Sequence, residues 1–125
     1  MVDPDQRRPA AALRLLVVDD EAALRDLLQR YLDRLGYQVE TCAGAEEALE
    51  RFKAAPAAFA LVITDLTLPG LNGEELLARI RAIHPQQRAL MLSGYPYRPT
   101  DALTGFLQKP FVPKMLVEEI QRALA

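Results

Sequence analysis

Apolar residues fall along this chain in two alternating rhythms: short unbroken runs, and longer stretches in which they return every third or fourth position. Leu13 to Val18 (LRLLVV) is a nearly continuous hydrophobic run bounded by charge, and it reads as a strand buried on both faces. Leu24, Leu27, Leu28, Tyr31, Leu32 and Leu35 then repeat at helical spacing, with Gly36 as a natural stop. Tyr37 to Thr41 mixes charge and amide into an extended pattern, which suits a strand at the edge of a sheet. Ala48, Leu49 and Phe52 mark a short second helix before Pro56, and Phe59 to Thr64 is another buried strand. Leu76, Leu77, Ile80 and Ile83 stripe a third helix that ends near His84-Pro85. Ala89 to Leu92 gives a fourth strand and Gly105 to Gln108 a short fifth. Pro113 opens a last helix with Leu116, Val117, Ile120 and Leu124 on one face.

Strands alternating with helices at these lengths imply βαβ units with right-handed crossovers, so the expected fold class is α/β with a parallel sheet covered on both sides. The chain has 125 residues, enough for one domain with a real core. Residues 1–12 (MVDPDQRRPAAA) hold two prolines, mixed charge and no apolar period, and read as a flexible leader or linker. The folded domain is expected over residues 13–125, cut from a longer chain. A net charge of −2 with no basic cluster argues against a nucleic-acid surface. The longest apolar run, Ala57 to Ile63, is far short of the roughly 20 residues a membrane helix needs. The single cysteine, Cys42, excludes an internal disulfide, reads as a core thiol and fits a reducing, cytoplasmic setting.

Chemistry enters at the strand ends. In open α/β sheets, ligands bind outside the carboxyl ends of the strands. The first strand here ends in Asp19-Asp20-Glu21, the third in Asp65, the fourth in Ser93 and the fifth in Lys109. Acids, a hydroxyl and an ammonium therefore share one rim. Carboxylates gathered within a few ångströms raise one another's pKa unless a cation compensates. Magnesium is the natural remedy: it prefers oxygen ligands and typically takes one or two carboxylates plus phosphate oxygens. The ligands left open point to a phosphoryl group.

The segments LLVVDDE, VITDLTLPGLNGEEL, LMLSGY and GFLQKPF, in this order and spacing, resemble the receiver domain of two-component response regulators, over roughly Leu13 to the C-terminus. The resemblance implies a flavodoxin-like three-layer α/β/α sandwich around a five-stranded parallel sheet of order 2-1-3-4-5. It implies Asp65 as the phosphoacceptor, attacking the phosphorus of a phosphohistidine or a small phosphodonor. By the same resemblance Asp20, Asp65 and the backbone carbonyl of Thr67 would ligate Mg²⁺, or Mn²⁺ in its place, while Asp19 would orient a metal-bound water. Lys109 and Ser93 would contact the phosphoryl group, and Ser93 with Phe106 would form the switch. Lys109-Pro110 matches the family's cis peptide. The implied partner is a histidine kinase or a histidine phosphotransfer protein.

Singly, each residue has a plainer reading. Asp20 suits a helix cap, Asp65 a turn before Pro69-Gly70, Ser93 a loop hydroxyl, Lys109 a solvated charge and Phe106 core packing. Their joint placement at strand ends favours the site. His84, without a companion ligand, reads as structural. Between Ser93 and Lys109, Gly94 to Thr104 holds Pro96 and Pro99, so the fourth helix of the family is expected to be shortened or missing. That compression resembles receivers attached to hybrid sensor kinases, and it removes a familiar dimer surface, which points to a monomer. Thr67 and Tyr95, two residues beyond Asp65 and Ser93, are poor water-orienting groups, so slow self-dephosphorylation is expected. Two rival readings stand beside this one. A haloacid dehalogenase-type phosphatase would need a second Asp where Thr67 stands, and a pseudo-receiver would bind partners without phosphorylation.

Overall fold

In the computed structural model, which describes residues 13–125, every run expected to be a strand is one. The leader expected over residues 1–12 lies outside the described residues. The elements follow as β1 (Arg14–Val18), α1 (Ala22–Arg34), β2 (Gln38–Cys42), α2 (Ala45–Ala54), β3 (Leu61–Asp65), α3 (Gly73–Ile83), β4 (Ala89–Ser93), β5 (Thr104–Gln108) and α4 (Pro113–Leu124). All strand pairs are parallel, in the order β2-β1-β3-β4-β5, which is the flavodoxin-like order the resemblance implied. The polar strand β2 lies at the edge, where its charge and amide can reach water.

Side chains alternate across a strand, so each buried run divides between two cores. Leu15, Val17, Leu61, Ile63, Leu90 and Leu92 pack on one face with Leu28 and Leu32 of α1 and Leu116 and Ile120 of α4. Leu16, Val18, Val62 and Met91 pack on the other with Leu49 and Phe52 of α2 and Leu76 and Ile80 of α3. Covering both faces makes the strands continuous in apolarity, and this is why their runs carry no period of two.

Helix α1 ends as Gly36 foretold. Gly36 sits at φ 99°, and the N–H groups of Gly36 and Tyr37 donate to the carbonyls of Asp33 and Leu32, which closes the last turn. The apolar stripe of α1 is wider than the core requires: Leu28 and Leu32 are buried, while Leu27 is 55% exposed. Helix α3 begins in a reciprocal cap. The Asn72 side chain accepts from the Glu75 N–H at 2.8 Å, and the Asn72 N–H donates to Glu75 Oε1 at 2.9 Å.

No helix links β4 to β5. Residues 94–103 cross as an irregular strap, as the two prolines required. The strap's end is held by Asp101, whose carboxylate accepts from the Leu103 N–H at 2.8 Å, from Thr104 Oγ1 and from Arg81 Nη1.

The first residue of α3 is pressed against the end of β3. A Cβ on Gly73 would lie 2.5 Å from the Asp65 carbonyl oxygen and 2.9 Å from Met91 Sδ. Backbone cannot yield as a side chain can. Gly73→Ala is therefore expected to destabilise the fold by about 3 kcal/mol, read as a lower urea midpoint; an unchanged midpoint would mean that α3 can shift away from Asp65 freely.

Candidate functional site

Parallel strands place their carboxyl ends along one edge, so β1, β3, β4 and β5 deliver Asp19 and Asp20, Asp65, Ser93 and Lys109 to a common rim. Backbone hydrogen bonds tie these ends together. The Leu66 N–H donates to the Leu92 carbonyl and the Lys109 N–H to the Ser93 carbonyl, each at 2.7 Å, and the Asp19 N–H donates to the Cys42 carbonyl at 3.1 Å.

Within the rim, Asp19 is fully buried. Its Oδ2 accepts from Lys109 Nζ at 2.8 Å and its Oδ1 from the Glu21 N–H at 2.9 Å. Lys109 Nζ also stands 3.4 Å from Asp65 Oδ2. Arg25 Nη1 donates to the Asp19 carbonyl at 2.7 Å and so fixes the peptide that joins the two acids. One carboxylate oxygen from each of Asp19, Asp20 and Asp65 lies within 4.8 Å of the other two.

Burial is the main cause that holds the Asp65 carboxyl above its ordinary range. The Lys109 charge opposes the shift, the Asp19 charge adds to it, and hydrogen bonds from Lys109 and the Thr67 N–H oppose it. For Lys109 burial works against the charged form, yet the hydrogen bond and charge of Asp19, followed by those of Asp65, hold it above its usual value. The same ammonium thus favours the charged form of Asp65 while burial and the Asp19 charge oppose it.

Three carboxylates against one ammonium leave an excess of negative charge. The donors are all hard oxygens, and Asp20 is exposed, with no hydrogen-bond partner among the described residues. This donor set fits a hard divalent cation such as Mg²⁺ and offers no nitrogen or sulfur that would favour a softer metal.

Ser93, 1% exposed, closes the rim on the β4 side, and its Oγ accepts from the Tyr95 N–H at 3.0 Å. Phe106 lies half-buried on β5, one strand over from Met91, with its ring 5.9 Å from that of Tyr97. The Lys109–Pro110 peptide is cis. Asp20 is not a helix cap, since Glu21 holds that position without a side-chain cap bond. His84 caps the far end of α3, with its ring 6.5 Å from that of Phe52. Burial foremost pushes the Cys42 thiol up to about 11, so it stays protonated in the core. Gly73, Arg25 and Tyr97 also shape the site, though no hydrophobic period marks them. The N-x-x-E spacing of Asn72 and Glu75 is the sequence signal that fixes where α3 starts, and hence that Gly73 abuts Asp65.

A profile of the response regulator receiver domain matches residues 15–121. The chain is 34% identical over 116 residues to the sensor kinase CckA of Brucella abortus, covering 88% of this chain and 12% of that protein. It is 36% identical over 120 residues to the DNA-binding transcriptional regulator NtrC of Azospirillum brasilense, covering 91% and 24% respectively. The crystal structure of the receiver domain from hybrid histidine kinase CckA matches with a TM-score of 0.82 at 33% identity, over 90% of this chain and 99% of that one. The chain thus spans less than a third of these two curated relatives and nearly the whole of the solved receiver.

The raised Asp65 carboxyl carries a consequence for stability. A carboxyl whose folded pKa lies above its unfolded value makes the fold less stable as pH rises through the carboxylate range. In metal-free buffer at pH 7, Asp65→Asn is expected to raise Tm, because it removes the charge that burial and Asp19 disfavour. The gap should narrow as pH falls through the Asp65 titration, and scanning calorimetry in EDTA would show it; a variant less stable than wild type at pH 7 would contradict this electrostatic account.

Proposed function

The chain belongs to the response regulator receiver domain family of two-component signalling, and on that footing we propose that Asp65 accepts a phosphoryl group from a protein phosphohistidine. A receiver is a signalling domain rather than an enzyme that turns over substrate. The observation that carries the proposal is the Lys109 ammonium shared between Asp19 and Asp65, directly beside a carboxylate that burial keeps short of counter-charge. In the transfer an Asp65 carboxylate oxygen attacks phosphorus, the P–N bond breaks with its electron pair returning to the imidazole, and an acyl phosphate forms. Lys109 offsets charge on the phosphoryl oxygens, and the Ser93 hydroxyl, whose oxygen already accepts from Tyr95, has its hydrogen free to donate. Asp20, Asp65 and the Thr67 carbonyl would hold Mg²⁺, with Asp19 acting through a water. Once bound, the ion supplies the remaining charge neutralisation. With Thr67 at the place of a second Asp, the acid needed by a dehalogenase-type phosphatase is missing.

The docking face lies on α1, where Leu27 is exposed and Leu24 and Tyr31 are only half-buried against the core. Leu24, Leu27 and Tyr31 form, with Phe111 and Pro113, an apolar groove of about 460 Å³ that has Lys109 at its rim. A helix carrying the phosphohistidine would lie in this groove and reach Asp65 past Lys109. The partner is thus a histidine kinase or a histidine phosphotransfer protein, acting in the cytoplasm; no described helix is long and apolar enough to cross a membrane. The relatives include both a sensor kinase and a DNA-binding regulator. The strap in place of a helix between β4 and β5 favours the hybrid-kinase type, working as a monomer.

Incubation with Mg²⁺ and acetyl phosphate is expected to add one phosphoryl group by intact-mass spectrometry, with none on Asp65→Asn and none in EDTA. After the donor is removed, the adduct should decay slowly, because Thr67 and the exposed Tyr95 position no hydrolytic water. No adduct on wild type would favour a pseudo-receiver. Leu27→Arg should leave acetyl phosphate labelling unchanged while reducing transfer from a phosphohistidine protein by at least about tenfold, the effect of a charge set into an apolar contact. Equal transfer to both forms would move the docking face elsewhere.

A further inference from the structure

The strap between β4 and β5 is fastened to the molecule where the expected helix is missing, and one fastening touches the switch. Tyr97, half-buried, lays its ring against Phe106 at 5.9 Å between centroids and 56° between planes. Its hydroxyl donates to Glu74 Oε2 at 3.0 Å, on the first turn of α3. Tyr97 also packs against the same core as Phe106 and Met91. It thus covers the face of β5 that a crossover helix would otherwise cover. The phenol is a dependable donor at neutral pH, since burial first and the Glu74 hydrogen bond second hold it above its ordinary range.

We propose that Tyr97 is a positioning residue of the phosphoacceptor site: clasped to Glu74, it holds Phe106 and the strap in the unphosphorylated arrangement, and phosphoryl uptake must open that clasp. This rests on the reading above, in which Asp65 is the acceptor and Ser93 and Phe106 are the switch. Three observations lead to it. Tyr97 is only four residues beyond Ser93, and Pro96 and Pro99 restrict the backbone on either side of it, so the segment joining the two is short and partly stiffened. Phe106 and Tyr97 are in ring contact, so neither can turn without displacing the other. A cavity of about 180 Å³, lined by Glu74, Leu77, Arg81, Met91, Tyr97 and Thr104, opens beside the Tyr97 ring and its Glu74 partner and gives that ring room to move. A contact made only in the unphosphorylated state lowers apparent affinity for the phosphoryl group, and removing it must raise that affinity.

The test is a calorimetric titration of beryllium trifluoride, a phosphoryl mimic, into the protein in Mg²⁺. Tyr97→Phe keeps the ring and removes the hydroxyl, and should bind the mimic about 3- to 10-fold more tightly, the range expected for one net hydrogen bond. Glu74→Ala should act in the same direction, and the double variant should gain no more than either single one, because both remove the same bond. Affinity for Mg²⁺ alone should be equal in all forms, which a general loosening of the acidic rim would not leave unchanged. Unaltered or weaker binding of the mimic by both single variants, or fully additive gains in the double variant, would overturn the clasp. Glu74 is exposed at a helix start, so its variant keeps the test open if Tyr97→Phe folds poorly. Wild type failing to bind the mimic, or Asp65→Asn binding it equally well, would instead overturn the acceptor reading, and the clasp with it.

Discussion

The ion pair between Asp19 and Lys109, at 2.8 Å and 90 residues apart in sequence, is the contact on which the site depends. Its partners follow β1 and β5, which are not neighbours; β3 and β4 lie between them in the sheet. The pair therefore arches over the ends of β3 and β4, where Asp65 and Ser93 stand. Nothing in chain connectivity requires that closure. It follows from strand order: a parallel sheet brings every carboxyl end to the same edge, and the order 2-1-3-4-5 puts β3 and β4, with Asp65 and Ser93, inside the arch.

Such a pair is a poor device for stability alone. A fully buried carboxylate loses its hydration, and the attraction to a partner often fails to repay that loss. Here the pair also leaves Asp65 in excess, since one ammonium serves two buried acids while Asp20 adds a third charge at the rim. Three carboxylates gathered about one ammonium repel one another, a repulsion that a divalent cation would relieve. The same repulsion explains why Gly73 and Arg25 matter although neither has acid–base chemistry at the site. Gly73 lets α3 abut the Asp65 backbone, and Arg25 secures the Asp19 carbonyl, so the carboxylates cannot relax apart.

Much of this was legible in the sequence, for a physical reason. Strands buried on both faces must be apolar throughout, so Leu61 to Thr64 announces itself, and the first charge afterwards marks the strand end. Helix periods located α1 to α4, and Pro96 with Pro99 left room for no more than a shortened helix between β4 and β5, where the chain forms none. The period fared worse as a map of burial. It cannot tell a stripe that feeds the core from one that also feeds a groove, and Leu27 shows the difference. Tyr97 was hidden more deeply. Its role comes from three elements meeting, namely the strap, the start of α3 and β5, and no local pattern encodes a contact with Glu74 across 23 residues.

The two surfaces flanking the arch lie on opposite sides of the sheet. The apolar groove is built on the α1 and α4 face, while Tyr97 and Phe106 belong to the α2 and α3 face. A partner seated in the groove covers neither ring of the clasp. Lys109 borders the groove and its N–H is bonded to the Ser93 carbonyl, so the rim joins the two faces. On the proposed reading, a donor seated in the groove would approach Asp65 from one side, while Tyr97 and Phe106 lie on the other. A helix between β4 and β5 would cover this side with several turns of packed surface; the strap instead meets Phe106 through one ring, that of Tyr97, while its far end is held separately by Asp101.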